Sequence, residues 1–152
     1  MQIYELTTDE CVEILTRSHL GRLGCARDNQ PYIVPIHFSF DAERRCVYGF
    51  SAVGQKVDWM RGNPKVCLEL DDVDDKDHWT TVIAIGRYEE IHHSPDESEA
   101  RRRAEFLFRQ RPEWWLPAAA KLGAREHEDV VVYRIQLDRV SGRRAARDRE
   151  SG

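Results

Sequence analysis

Ser51, Gly54 and Lys56 lie close together, between the apolar run Val47-Tyr48-Gly49-Phe50-Ser51 and a stretch carrying Val57 and Met60. A strand ending at Ser51 and a helix starting after Gly54 would aim the helix's first N–H groups at whatever sits before them. Those groups have no partner inside the helix and carry about half a unit of positive charge. Gly54 lets the backbone approach an anion, Ser51 can donate a hydroxyl, and Lys56 adds a full charge. The set suits a terminal phosphate monoester. A glycine in a turn followed by a solvated lysine accounts for the same residues equally well, so local chemistry leaves both readings open.

Gly49 and Gly54 also have the G-x-x-x-x-G spacing of a nucleoside-triphosphate loop. That motif continues with Gly-Lys-Ser/Thr, whereas here Gln55-Lys56-Val57 follows, without the magnesium-binding hydroxyl. His37, within an alternating run, is either a structural imidazole or a proton donor or substrate-orienting group, since imidazole titrates near neutrality. His92-His93 adjoin a capping serine and read as a solvated turn. Asp71, Asp72, Asp74, Asp75 and Asp77 invite a calcium loop, but the positions needing glycine and glutamate hold Lys76 and Val82. They read as a solvated acidic loop. Cys11, Cys25, Cys46 and Cys67 are scattered, as buried free thiols would be, and no metal site is expected. Trp114 and Trp115 suit core or interface anchors, and Arg101 to Arg103 the wet face of a helix.

The elements that must position these groups follow from periodicity and turn chemistry. Thr7 and Glu10 make a capping box for a helix from Thr8 to Ser18. Leu20 to Arg27 reads as a strand, Asp28-Asn29-Gln30-Pro31 as a turn, and Tyr32 to Phe40 as a strand. In that strand Tyr32, Val34, Ile36, Phe38 and Phe40 share one face, and Pro35 places it at an edge, a bulge or a barrel split. Asp41 to Arg45 is a hairpin loop before the strand Cys46 to Ser51. Asn63-Pro64 stops the short helix after Gly54. Strands follow at Lys65 to Leu70 and at Trp79 to Ile91, the second with a bulge at Gly86. Ser94, Pro95 and Glu97 predict a capped helix to about Gln110, followed by a short Ala-rich helix. Val130 to Val140 is the last strand.

At 152 residues the chain suits one domain, over 1–140, with a disordered tail over 141–152. Six strands joined by hairpin-length connections predict a mainly β (α+β) fold, an antiparallel barrel with flanking helices. A net charge of -4 argues against a nucleic-acid binder. The acidic N-terminus is no signal peptide, and no apolar run is long enough for a membrane helix. With free thiols, this points to the cytoplasm.

Three further groups keep the order and spacing of a known family. Pro31-Tyr32-Ile33-Val34-Pro35-Ile36-His37-Phe38, then Val47 to Ser51 and Gly54-Gln55-Lys56, then Arg61-Gly62-Asn63-Pro64-Lys65-Val66-Cys67 resemble the pyridoxamine 5'-phosphate oxidase-like FMN proteins. Within that superfamily they are similar to the nitroimidazole-reductase-like branch. Trp79-Thr80-Thr81-Val82 and Ile85-Gly86-Arg87-Tyr88-Glu89-Glu90-Ile91 continue the resemblance. It implies a six-stranded split β-barrel homodimer with an FMN at each end of the interface. Val34, Pro35, Ile36 and His37 would edge the isoalloxazine ring. Phe50, Ser51, Gly54, Gln55 and Lys56 would hold the phosphate, and Trp79, Thr80 and Thr81 would reach the flavin from the partner subunit. The oxidase branch often has basic residues where Gln55 and Thr80 stand, which argues against pyridoxamine-phosphate oxidation itself. The resemblance implies an FMN-dependent oxidoreductase reducing a small organic acceptor with electrons from NAD(P)H. A non-catalytic flavin or haem module and an F420-dependent reductase share the fold.

Overall fold

The computed structural model describes residues 1–110 and 130–147. Its strands are β1 (Gln2–Glu5), β2 (Leu20–Arg27), β3 (Gln30–His37), β4 (Ser39–Asp41), β5 (Cys46–Ala52), β6 (Lys65–Asp75), β7 (His78–Ile91) and β8 (Val130–Ala146). Its helices are α1 (Thr8–Arg17), α2 (Gln55–Gly62) and α3 (Ser98–Arg109). The capping box forms as expected: Thr7 Oγ1 accepts from the Glu10 N–H at 3.2 Å, and the Glu10 carboxylate accepts from the Thr7 N–H at 2.9 Å. Cys11, Ile14 and Leu15 are the face that α1 buries.

All pairings are antiparallel, in the order β3-β2-β6-β7-β8-β5-β4, with β1 added beside β8. The two ends of that path, β3 and β4, are joined by a single residue, Phe38. Strands so far apart in the sheet and so close in the chain require the sheet to curl round, giving a barrel open between β3 and β5. The β2–β3 turn has Asp28 at φ 49 and Asn29 at φ 63, the two left-handed residues of a tight hairpin. A register shift between Ile85 and Gly86 is the expected bulge.

The barrel core includes Leu15, Leu23, Phe38, Met60, Leu68, Val82 and Ile135. A second, smaller cluster (Cys46, Tyr48, Ile91, Ala104 and Val132) lies beneath α3. Gly49 is required by packing, because a Cβ there would lie 2.4 Å from the Tyr133 ring. Its spacing to Gly54 therefore has a steric origin.

The strand count differs from the six expected. Gln2–Glu5 and Ser39–Asp41 are strands of their own, since the run from Tyr32 breaks at Phe38. The acidic segment is strand as far as Asp75, with its carboxylates in water. The tail expected from Ser141 is instead the last six residues of β8, paired to both β1 and β7. The Ser94 side chain makes no cap hydrogen bond; Glu97 accepts instead from the His92 N–H, and Pro95 opens a single 3-10 turn before α3. Trp114, Trp115, the Ala-rich helix and the last five residues lie outside the described residues. Among those described, no helix is long and apolar enough to cross a membrane.

Candidate functional site

β3 is bonded on one side only, to β2. The Phe38 N–H donates to the His19 carbonyl at 2.9 Å, which fixes the phase of the ladder. Backbone groups of even-numbered residues in β3 point to β2, and those of odd-numbered residues point to the open edge. Pro31 and Pro35 are both odd, so neither removes a ladder bond. The N–H of Ile33 and the carbonyls of Ile33 and Pro35 face the open edge, where the Pro31 carbonyl accepts from the Gln30 side chain at 3.0 Å.

This phase separates the four β3 candidates. Ile36 is buried, Val34 packs against the core, and both direct their backbone polar groups into the ladder. Pro35 and His37 turn outward. Continuing the β4–β5 register, Ser39 opposite Tyr48 and Phe40 opposite Val47, would set His37 opposite Phe50 and Ile36 opposite Ser51. No ladder forms there, so this is the split, with Val34 to His37 along one side and Phe50 and Ser51 along the other. The Phe50 ring packs edge-on to Phe108 at 5.2 Å, and the Ser51 hydroxyl donates to the Ala52 carbonyl at 2.8 Å.

α2 starts directly beyond. Its first intrahelical bond runs from the Asp58 N–H to the Gly54 carbonyl, leaving the N–H groups of Gln55, Lys56 and Val57 without acceptors in the helix. No side chain caps this end, and a Cβ on Gly54 would meet nothing within 4 Å. Gly54 has an ordinary extended backbone, so its contribution is an open approach. The Lys56 side chain is half-buried and forms no ion pair among the described residues, and burial alone pulls its ammonium below the usual lysine range. Buried Val57 and Met60, the Arg27–Asp58 pair at 2.9 Å, and Asn63 donating to the Ala26 carbonyl at 3.1 Å hold the helix against β2.

Trp79 and Thr81 lie on the outer face of the sheet, opposite Val73 and Asp71 of β6. The next outward positions, Ile83 and Ile85, are 44% and 40% exposed, and Val73 is 59% exposed. Thr80 turns the other way and accepts from Arg144 Nε at 3.4 Å. The registers set this triplet in line with β3 rather than β5: Leu20 pairs with His37, and Asp71, which lies beside Leu20, pairs with Thr81. From Phe50 it is remote, because Phe50 shares a row with Val132 and Ile91, whereas Trp79 pairs with Ala145 at the other end of β7, roughly 40 Å of strand away. Sequence reasoning passed over Glu5 and Arg143, which border Trp79, because Arg143 fell in the tail expected to be disordered and Glu5 in a segment assigned no element.

The model of the family described as pyridoxamine 5'-phosphate oxidase matches residues 7–144. The uncharacterized protein RA0666 of Rhizobium meliloti is 35% identical over 95% of this chain and 97% of its own. A FAD-binding protein from Mesorhizobium loti is 36% identical in its crystal structure, with a TM-score of 0.78 over 96% of this chain and all of that one. A FAD-binding protein from Mycobacterium smegmatis is 25% identical, with a TM-score of 0.63 over 94% of this chain and 98% of that one.

Proposed function

The chain belongs to the pyridoxamine 5'-phosphate oxidase family, and from that premise we propose that it is an FMN-dependent oxidoreductase acting as a homodimer. The observation that carries this reading is Lys56, a half-buried ammonium with no carboxylate partner among the described residues, beside three helix N–H groups without acceptors in the helix. A phosphate dianion would satisfy all four together. The residues at the split therefore fit a flavin phosphate.

Gln55 and Lys56 would hold that phosphate, with Ser51 contributing once its hydroxyl turns from the Ala52 carbonyl. The open edge of β3 would offer the ring the N–H of Ile33 and its outward carbonyls. Phe50 supports this end from beneath Phe108. Trp79 and Thr81 of a second copy would close the site, since one chain holds them at the end of β7 far from Phe50. The apolar stripe Val73, Trp79, Ile83 and Ile85 suits such a copy. When bound, the flavin supplies hydride transfer between a nicotinamide donor and a small organic acceptor. Of the described residues named here, His37 would hand on a proton, and the others bind or orient.

Absorbance and mass of the cofactor that co-purifies test this reading. FMN bleached by NADH or NADPH without oxygen, and recoloured by an acceptor, is the expected result. FAD would keep the flavin reading and correct the cofactor. A haem band, tight binding of F420 alone, or FMN that no nicotinamide bleaches would contradict it.

A further inference from the structure

We propose that the groove between Trp79 and Arg143 is an acceptor subsite that takes a small aromatic carboxylate. The proposal rests on the homodimeric flavin reading, because Trp79 and Thr81 of a second copy are what bring this groove to the flavin.

The groove has a volume of ≈ 600 Å³, within the range of small-molecule sites. Trp79, Thr81 and Ile83 form one wall, Ser141 and Arg143 the other, and Glu5 stands at the rim. The registers explain why these six meet. Thr81 pairs with Arg143 and Ile83 with Ser141 across β7–β8, while Glu5 pairs with Arg143 across β1–β8. Directly opposed residues share a face, so all six project outward. Gly142, between Ser141 and Arg143, faces the core, where a Cβ would lie 2.8 Å from Leu6 Cδ1 and 3.0 Å from Cys11 Sγ, so only glycine lets this stretch of β8 lie flat against α1.

Among the described residues Arg143 is the only cation lining the groove, and no carboxylate of theirs pairs with it. Its neighbours are engaged: Arg144 with Thr80, Arg147 with Asp77, Arg87 with Asp138, and Arg22 with Glu69. A planar guanidinium fork matches a carboxylate in two parallel hydrogen bonds. The indole of Trp79 and the Ile83 side chain offer the apolar surface that an aromatic ring needs. Glu5, directly across from Arg143 yet not paired with it, sets the charge that the groove tolerates. It opposes dianions, and so favours a monocarboxylate over a phosphate ester.

Calorimetric titration of the flavin-loaded protein with benzoate, and with uncharged benzamide as its near-isostere, tests the assignment. Benzoate should bind saturably and benzamide about tenfold more weakly or worse. Arg143→Ala should bring benzoate down to the level of benzamide, with flavin content unchanged. Glu5→Gln should tighten benzoate severalfold. Failure of the parent protein to bind benzoate, or equal binding by Arg143→Ala, would overturn the subsite. Loss of flavin from Arg143→Ala would assign that residue to the cofactor, and overturn the subsite as well. Failure of the flavin reading is seen separately, in a parent protein that carries no flavin; benzoate titration of that protein still decides the groove.

Discussion

Arg103 Nε donates to the carboxylate of Asp41 at 3.1 Å, and the Asp41 side chain is wholly out of solvent. The pair ties α3 to the β4–β5 hairpin, and the backbone N–H of Arg44 and the hydroxyl of Tyr48 also donate to this carboxylate, at 3.2 Å and 3.4 Å. The helix so held roofs Phe50 through Phe108, which connects a buried ion pair to one wall of the split.

Asp41→Asn leaves the two arginines without their buried counter-charge and should cost about 3 kcal/mol, read as a lower urea midpoint. Burial alone would raise the Asp41 pKa, but hydrogen bonds from Arg103 and Arg44, and their charges, bring it below the usual aspartate value. A carboxylate depressed in the folded state contributes stability above its unfolded pKa, about 3.9, and loses it as the pH falls through the folded value. The parent should therefore lose more stability below about pH 4 than Asp41→Asn does. Equal acid sensitivity of the two proteins would remove Asp41 from this role.

Ile83 lies at the middle of the exposed stripe between Trp79 and Ile85. Ile83→Lys should leave the monomer folded, since the side chain faces water, and should halve the sedimenting mass while releasing flavin. A dimer of unchanged mass would move the interface elsewhere.

The β3 ladder runs through the backbone, so it does not depend on the His37 side chain. His37→Ala should accordingly retain most of the flavin and most of the stability, while turnover falls. Loss of the folded state on this substitution would instead make the imidazole structural.

Features set by neighbours in the chain were legible in the sequence. Thr7 and Glu10 cap α1, Asp28 and Asn29 turn the β2–β3 hairpin, and Gly86 marks its bulge. Charged strands were not. Asp71 to Asp75 resemble a loop, but β6 and β7 pair through their backbones while the carboxylates stay in water and meet Arg22 and Arg147. Ser141 to Ala146 carry no apolar alternation because that end of β8 lies between two strands with most of its side chains in solvent. Asp41 gave no local sign of burial, since Arg103 reaches it from 62 residues away. At the site, the helix start after Gly54 and the face shared by Val34 and Ile36 were legible from turn chemistry and alternation. That the backbone groups of Pro35 face away from β2 depended on the phase of the ladder, which a single hydrogen bond at Phe38 reveals.

The most direct measurement of the central claim compares two ligands on one variant. FMN and riboflavin differ only by the phosphate, so titrating the parent and Lys56→Ala with each, by quenching of flavin fluorescence, isolates the cradle. The account predicts about tenfold to a hundredfold weaker FMN binding by Lys56→Ala and little change for riboflavin. Equal losses for both ligands, or no loss for either, would contradict it.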